Sequence, residues 1–142
     1  MTQDKELLLK DLCARLPYGV ICQYDTIVPI VGKVKSYDKL RAVSKFDNKP
    51  CFQFDCNRDI FDFDNVKPYL FPLSSMTEEQ SNELFTYFHN VELKEIETSG
   101  DYLKAAYLGE NAKRDWLNKN HFDYHYLIEK GLAIDATGLN IY

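Results

Sequence analysis

Leu40-Arg41-Ala42-Val43-Ser44-Lys45-Phe46-Asp47-Asn48-Lys49-Pro50-Cys51-Phe52-Gln53-Phe54-Asp55 is the stretch on which the fold turns. Leu40, Ala42, Ser44 and Phe46 alternate with Arg41, Val43 and Lys45, the two-residue period of a strand. Asp47-Asn48-Lys49-Pro50 has turn chemistry, because Asp and Asn tolerate left-handed backbone and Pro cannot continue a ladder. Cys51-Phe52-Gln53-Phe54-Asp55 then reads as the next short strand.

The same period recurs on either side. Val20, Cys22 and Tyr24 alternate with Gly19, Ile21 and Gln23, and residues 27–34 make a further strand, weakened or bulged by Pro29 and so placed at an edge or bend. Asn57-Arg58-Asp59 is a turn and residues 60–63 a fifth run. Five short strands within about fifty residues predict a small antiparallel SH3-like barrel or strongly bent sheet over residues 17–65. Residues 66–73 are extended, but Pro68 and Pro72 argue against a central strand, and a connector lying across the barrel is expected.

Helical signals flank this region. Leu8, Leu9, Leu12, Cys13 and Leu16 fall at helical spacing over residues 5–16, and Pro17 stops that helix. Thr77 and Gln80 form a capping box ahead of Leu84, Phe85 and Phe88, in a helix expected to end near His89-Asn90. Residues 91–98 and 102–108 read as a hairpin around Ser99-Gly100-Asp101, with a helix as the alternative for 102–108. Asn111 is a candidate N-cap for a helix over 112–120, and Asp123 for a second that closes at Gly131 in a Schellman ending, with Leu132 over Leu127. Helices this short need tertiary packing, so Trp116, Leu117, Leu127 and Ile128 are expected to anchor them to the rest of the chain. The expected class is α+β, one domain over 1–142, with an N-terminal helix, the β-rich part at 17–65 and two to three C-terminal helices in a mainly helical part at 76–142.

With 142 residues, 45% of them apolar, the chain can bury a real core. Its formal charge of −5 disfavours generic affinity for nucleic acid or anionic membranes. The first residues lack the basic and long apolar regions of a secretory signal, and no run approaches the ~18 apolar residues of a membrane span, so a cytoplasmic protein is expected. In that setting Cys13, Cys22, Cys51 and Cys56 read as reduced small hydrophobes rather than a disulfide framework.

Candidate chemistry is sparse. His121 and His125 stand four residues apart, a spacing that can bind a metal on one helical face, but Asp123 as a cap separates them and no H-E-x-x-H order is present. Asp55, Asp59, Asp62 and Asp64 form an acidic run without the central Gly and closing Glu of an EF-hand loop. Cys51 and Cys56 are a close pair, but Cys13 and Cys22 supply no second one and lie in apolar patterns; with no phosphate loop or nucleophile elbow either, no catalytic residue, metal or cofactor is assigned. One charge feature stands out. Six basic residues face two acidic ones between positions 33 and 49, a local charge of +4 that leaves −9 on the remainder. On strands, Lys33, Lys35, Lys39, Arg41, Lys45 and Lys49, with Tyr37 for stacking, would form a basic face able to grip RNA, single-stranded DNA or an acidic protein. Lysines that merely guard an exposed strand against aggregation are the weightier reading.

Three blocks carry a resemblance: residues 115–132, residues 7–20 (Leu7-Leu8-Leu9-Lys10-Asp11-Leu12-Cys13-Ala14-Arg15-Leu16-Pro17-Tyr18-Gly19-Val20), and residues 66–80 (Val66-Lys67-Pro68-Tyr69-Leu70-Phe71-Pro72-Leu73-Ser74-Ser75-Met76-Thr77-Glu78-Glu79-Gln80). Together, roughly a third of the chain, they resemble a group of short uncharacterised proteins of gut Bacteroides genomes and of their phages and prophages. The group's pattern has Arg-Gly after Asp-Tyr and before Leu-Ile, where this chain has His125-Tyr126. The resemblance implies a mobile-element context and no activity. The sequence reading is therefore a non-enzymatic protein-interaction protein whose partner is unidentified and which could form homo-oligomers, with nucleic-acid binding through residues 33–49 as the alternative.

Overall fold

The computed structural model describes residues 2–56, 59–60 and 65–142. Helix α1 spans Gln3–Arg15, with the Thr2 hydroxyl capping its first turn and a 3-10 turn, Leu16–Tyr18, closing it at Pro17. Its buried stripe is Leu8, Asp11, Leu12 and Arg15, so two charged residues share the core-facing side, and Cys13 is exposed.

Strands β1 (Ile21–Val28), β2 (Gly32–Phe46), β3 (Lys49–Phe54) and β4 (Asp59–Ile60) follow, each antiparallel to the one before. Residues 27–34 are not one strand. Ile27–Val28 ends β1 and Gly32 begins β2, with Val28 paired to Gly32 and Pro29-Ile30-Val31 as the loop between them. Pro29 supplies a fixed φ, and Ile30 sits in the left-handed region at φ 75°, an unusual place for a β-branched residue; Ile30 and Val31 are exposed at this loop, and their β-branched composition is what reads as strand. The turn at Asp47-Asn48 is as expected, both residues having positive φ. The expected turn at 57–58 and run at 61–63, and Asp62 and Asp64 of the acidic run, lie outside the described residues.

β5 (Lys67–Pro72) overturns the connector reading. It lies inside the sheet, antiparallel to β1 on one side and parallel to two short strands, β6 (Phe122–Asp123) and β7 (Ile134–Asp135), on the other. Its prolines are bypassed, because the amide used is that of Phe71, donated to the His121 carbonyl at 2.8 Å, and the carbonyl used is that of Leu70, which accepts from Ala136 at 2.8 Å. The strand order among the described residues, β4-β3-β2-β1-β5-β6 with β7 also on β5, is an open sheet and not a closed barrel. Strand pairing thus continues into the C-terminal third of the chain instead of curling back within residues 17–65.

The sheet buries one face under α1. Cys22, Tyr24, Leu40, Phe52, Phe54 and Leu70 pack with Leu8 and Leu12, joined from the C-terminal region by Leu127 and Ala133. A second cluster holds Leu84, Trp116, Leu117 and Phe122, with the Trp116 and Phe122 rings stacked at 5.7 Å.

Two long helices complete the chain. The capping box at Thr77 and Gln80 forms, but α2 (Glu78–Ser99) runs on past His89 for ten more residues. Asp101 caps α3 (Tyr102–Lys119) through the Lys104 amide at 3.0 Å, so Ser99-Gly100-Asp101 joins two helices and not two strands, and Asn111 is interior. Val91, Glu92, Glu95 and Ile96 are half-buried at helical spacing against α3, a tertiary contact that overrides the strand tendency of so short an apolar run. No helix among the described residues is long and apolar enough to cross a membrane.

Residues 124–131 form turns instead of the second short helix. Tyr126 has φ 58°, and the buried Asp123 carboxylate accepts from the amides of Leu127 and Ile128, both at 2.9 Å. The expected ending is present without its helix: Leu132 N–H reaches the Leu127 carbonyl at 2.9 Å and Gly131 N–H that of Ile128 at 3.1 Å.

Candidate functional site

The expected basic residues are exposed on β2 and β3, but they do not form one patch. Lys33, Lys35, Tyr37 and Lys39 pair across to Ile27, Asp25, Gln23 and Ile21 of β1 on the outer face of the sheet. Asp25 lies 3.5 Å from the Lys33 ammonium and 3.6 Å from that of Lys35, which offsets part of their field. Tyr37 stands edge-on to Tyr69 at 6.2 Å. Arg41 sits at the irregularity between Leu40 and Ala42, and Lys45 and Lys49 lie at the β2–β3 turn, about 40 Å along the strand from Lys33 at the usual rise per residue.

The expected anchors are buried or partly buried in both clusters: Trp116 and Leu117 at the root of α3, Leu127 in the sheet core with Ile128 beside it. Within the same region the structure assembles a polar network that sequence reasoning missed. Asp11 and Arg15, one helical turn apart on α1, are 0% exposed and joined at 2.7 Å through Nε and 3.2 Å through Nη2. Arg15 Nη2 also donates to the Phe122 carbonyl at 2.6 Å, tying α1 to β6, and its guanidinium lies 5.2 Å from the centre of the Tyr124 ring. Arg15 Nη1 has no hydrogen-bond partner among the described residues. The remaining capacity of Asp11 goes to His125: Nδ1 lies 2.8 Å from Oδ1, and with a carboxylate as acceptor Nδ1 carries the proton. His125 is therefore oriented by a buried group, leaving Nε2 for an outside partner.

His125 also lines a groove of about 610 Å³, together with Lys10, Asn111, Arg114, Asn118 and Tyr124. Tyr124 is held by its hydroxyl, which donates to Asn118 at 2.9 Å. Asp115 is the one carboxylate on the wall, and no Ser, Thr or Cys is among the described residues lining it. The arrangement suits binding and proton transfer but lacks the hydroxyl or thiol of covalent acyl or phosphoryl transfer.

His121 has a different environment from His125. It stacks on the C-terminal Tyr142 at 3.6 Å, and burial together with the nearby Arg15 guanidinium depresses its pKa to about 4. The Tyr142 hydroxyl donates to the Tyr69 carbonyl at 2.7 Å and accepts from the Ile21 amide at 3.0 Å, locking the tail onto β1 and β5; burial pushes its pKa up. All four cysteines are free, Cys22 and Cys51 buried, Cys13 and Cys56 exposed; burial pushes the Cys22 thiol up and away from reactivity.

The signal for the network was Asp11 and Arg15 standing at the core-facing positions of an otherwise leucine stripe. His125 was legible only as one of two histidines four residues apart, a spacing that says nothing of its pairing with Asp11. No family model matches the chain, and neither does a curated protein or a solved structure.

Proposed function

We propose that the protein is a non-enzymatic interaction protein of mobile-element origin that engages a protein partner in the cytoplasm through the α2–α3 hairpin. The observation that carries this reading is that α2, 22 residues long, buries only Leu84. Two helices shield just the faces they turn to each other, and beyond Leu84 and Phe88, which pack on the second cluster, no further layer covers the outer face of α2 among the described residues. Phe85, His89 and Leu93 run along α2 at four-residue spacing, with the Phe85 and His89 rings stacked at 5.1 Å. On α3, Leu103 and Tyr107 are neighbours one turn apart and are 86% and 68% exposed. Apolar groups gathered in this way on an extended element mark an interaction surface more often than a solvated one. Charge adds a preference, since α2 carries six glutamates against one lysine. A partner with an apolar stripe and a basic rim fits that helix.

Site-specific photo-crosslinking tests the proposal in cells that express the protein. A crosslinker at position 103 should give a discrete adduct that is absent when it is placed at position 49 on the sheet, and Tyr107→Glu should abolish it. Sedimentation then tells whether the adduct is a second copy or another protein. Identical adducts from both positions, or none from 103, would refute the hairpin as the contact surface. The nucleic-acid alternative rests on the exposed row Lys33, Lys35, Tyr37 and Lys39, and it is weakened by Asp25 between the first two lysines.

A further inference from the structure

The groove beside His125 combines three features that do not recur together elsewhere among the described residues. Its histidine is fixed from behind by a fully buried carboxylate. Lys10 from α1 and Arg114 from α3 stand on its walls, and among the described residues neither has a salt-bridge partner. In a chain of net charge −5, these two cations and the histidine give the groove a local excess of positive charge over its single carboxylate, Asp115.

We propose that this groove binds a phosphate monoester dianion, with Lys10, Arg114 and His125 as its ligands. Charge and donor geometry both favour this class. A guanidinium presents paired N–H donors matched to phosphate oxygens, an ammonium adds a mobile point charge, and Nε2 of His125 supplies a directed donor when the ring is protonated. Asn111 and Asn118 place amide groups on the same wall, and Tyr124 and Ala14 give it an apolar flank for the rest of the ligand. Asp115 on the wall disfavours a bulky polyanion, so a single phosphoryl group fits better than a nucleic-acid backbone. The volume, about 610 Å³, is that of a small-molecule site. Asp11 is a positioning residue: it holds the ring without touching the ligand.

The experiment is an NMR titration of the intact protein with inorganic phosphate, phenyl phosphate and, as a carboxylate control, benzoate. Phosphate and phenyl phosphate should shift the His125 ring signals saturably, while His89, far along α2, stays unmoved. Phenyl phosphate binding tighter than inorganic phosphate indicates an organic monoester as the natural class; equal binding indicates free phosphate. Lys10→Gln and Arg114→Gln are changes at exposed positions that should leave the circular-dichroism spectrum unchanged, and each should weaken binding at least about tenfold, the effect of one charge-assisted hydrogen bond. Lys45→Gln, a cation of the β2–β3 turn, should change nothing. Shifts that never saturate, that benzoate reproduces equally, or that survive in the Lys10→Gln/Arg114→Gln double variant would overturn the proposal.

Discussion

Replacing Asp11 with leucine tests what the buried network does for the fold. Asp11 and Arg15 are both 0% exposed, and the carboxylate takes two of the guanidinium's hydrogen bonds. Asp11→Leu leaves a guanidinium in the core with one bond, to the Phe122 carbonyl, and no countercharge. Stranding a buried charge in this way costs about 3–5 kcal/mol. That is a large part of the ~5–15 kcal/mol available to a domain, and it corresponds to a fall in Tm of roughly 10–20 °C. Changing both partners to apolar residues, Asp11→Leu with Arg15→Met, removes the stranded charge. What remains is the Phe122 carbonyl without its donor, about 1–2 kcal/mol, and the loss of the hydrogen bond from the part-exposed His125 ring, whose Nδ1 can turn to water at smaller cost. The double variant should therefore be more stable than the single. Urea titrations followed by Trp116 fluorescence and by circular dichroism give both values, together with the m-value that checks two-state behaviour. A double variant that falls as far as Asp11→Leu, or further, would show that geometry at this junction, and not charge compensation, holds α1 to β6.

Other outcomes follow from the same structure. Trp116→Ala should cost about 3–5 kcal/mol, because the indole is buried and stacked on Phe122; an unfolding free energy from urea titration within ~0.5 kcal/mol of the parent would make the C-terminal region an appendage. His121 is held neutral in the folded protein down to about pH 4, whereas the unfolded chain takes up its proton near 6.5. The unfolded state binds more protons in that window, so the stability contributed by this group is full above pH 6.5 and is lost as pH falls toward 4; His121→Asn, which tolerates the φ of 63° at this position, should flatten that part of the stability–pH curve. Changing Lys33, Lys35 and Lys39 together to Gln should abolish any oligonucleotide binding at ~50 mM salt if this row reads nucleic acid; an unmodified protein that binds no oligonucleotide at that salt rules the alternative out.

The sequence by itself determined the elements whose signals are local. Pro17 ends α1, Thr77 and Gln80 start α2, Asp47-Asn48 turns β2 into β3, and Gly131 with Leu132 closes its turn as expected, because each depends on backbone chemistry within a few residues. The α+β class and the docking of Trp116 and Leu127 were legible for the same reason: composition and spacing set what must be buried. Only the tertiary structure decided the rest. Residues 91–98 are helical since α3 lies against them, and β5 is central since its neighbours pair with it around the prolines. The strands stay an open sheet since β5 carries pairing on to β6 and β7, from far along the chain. The groove beside His125 likewise draws on α1, α3 and the turn after β6, with 114 residues between Asp11 and His125, a separation no local pattern in the sequence can bridge.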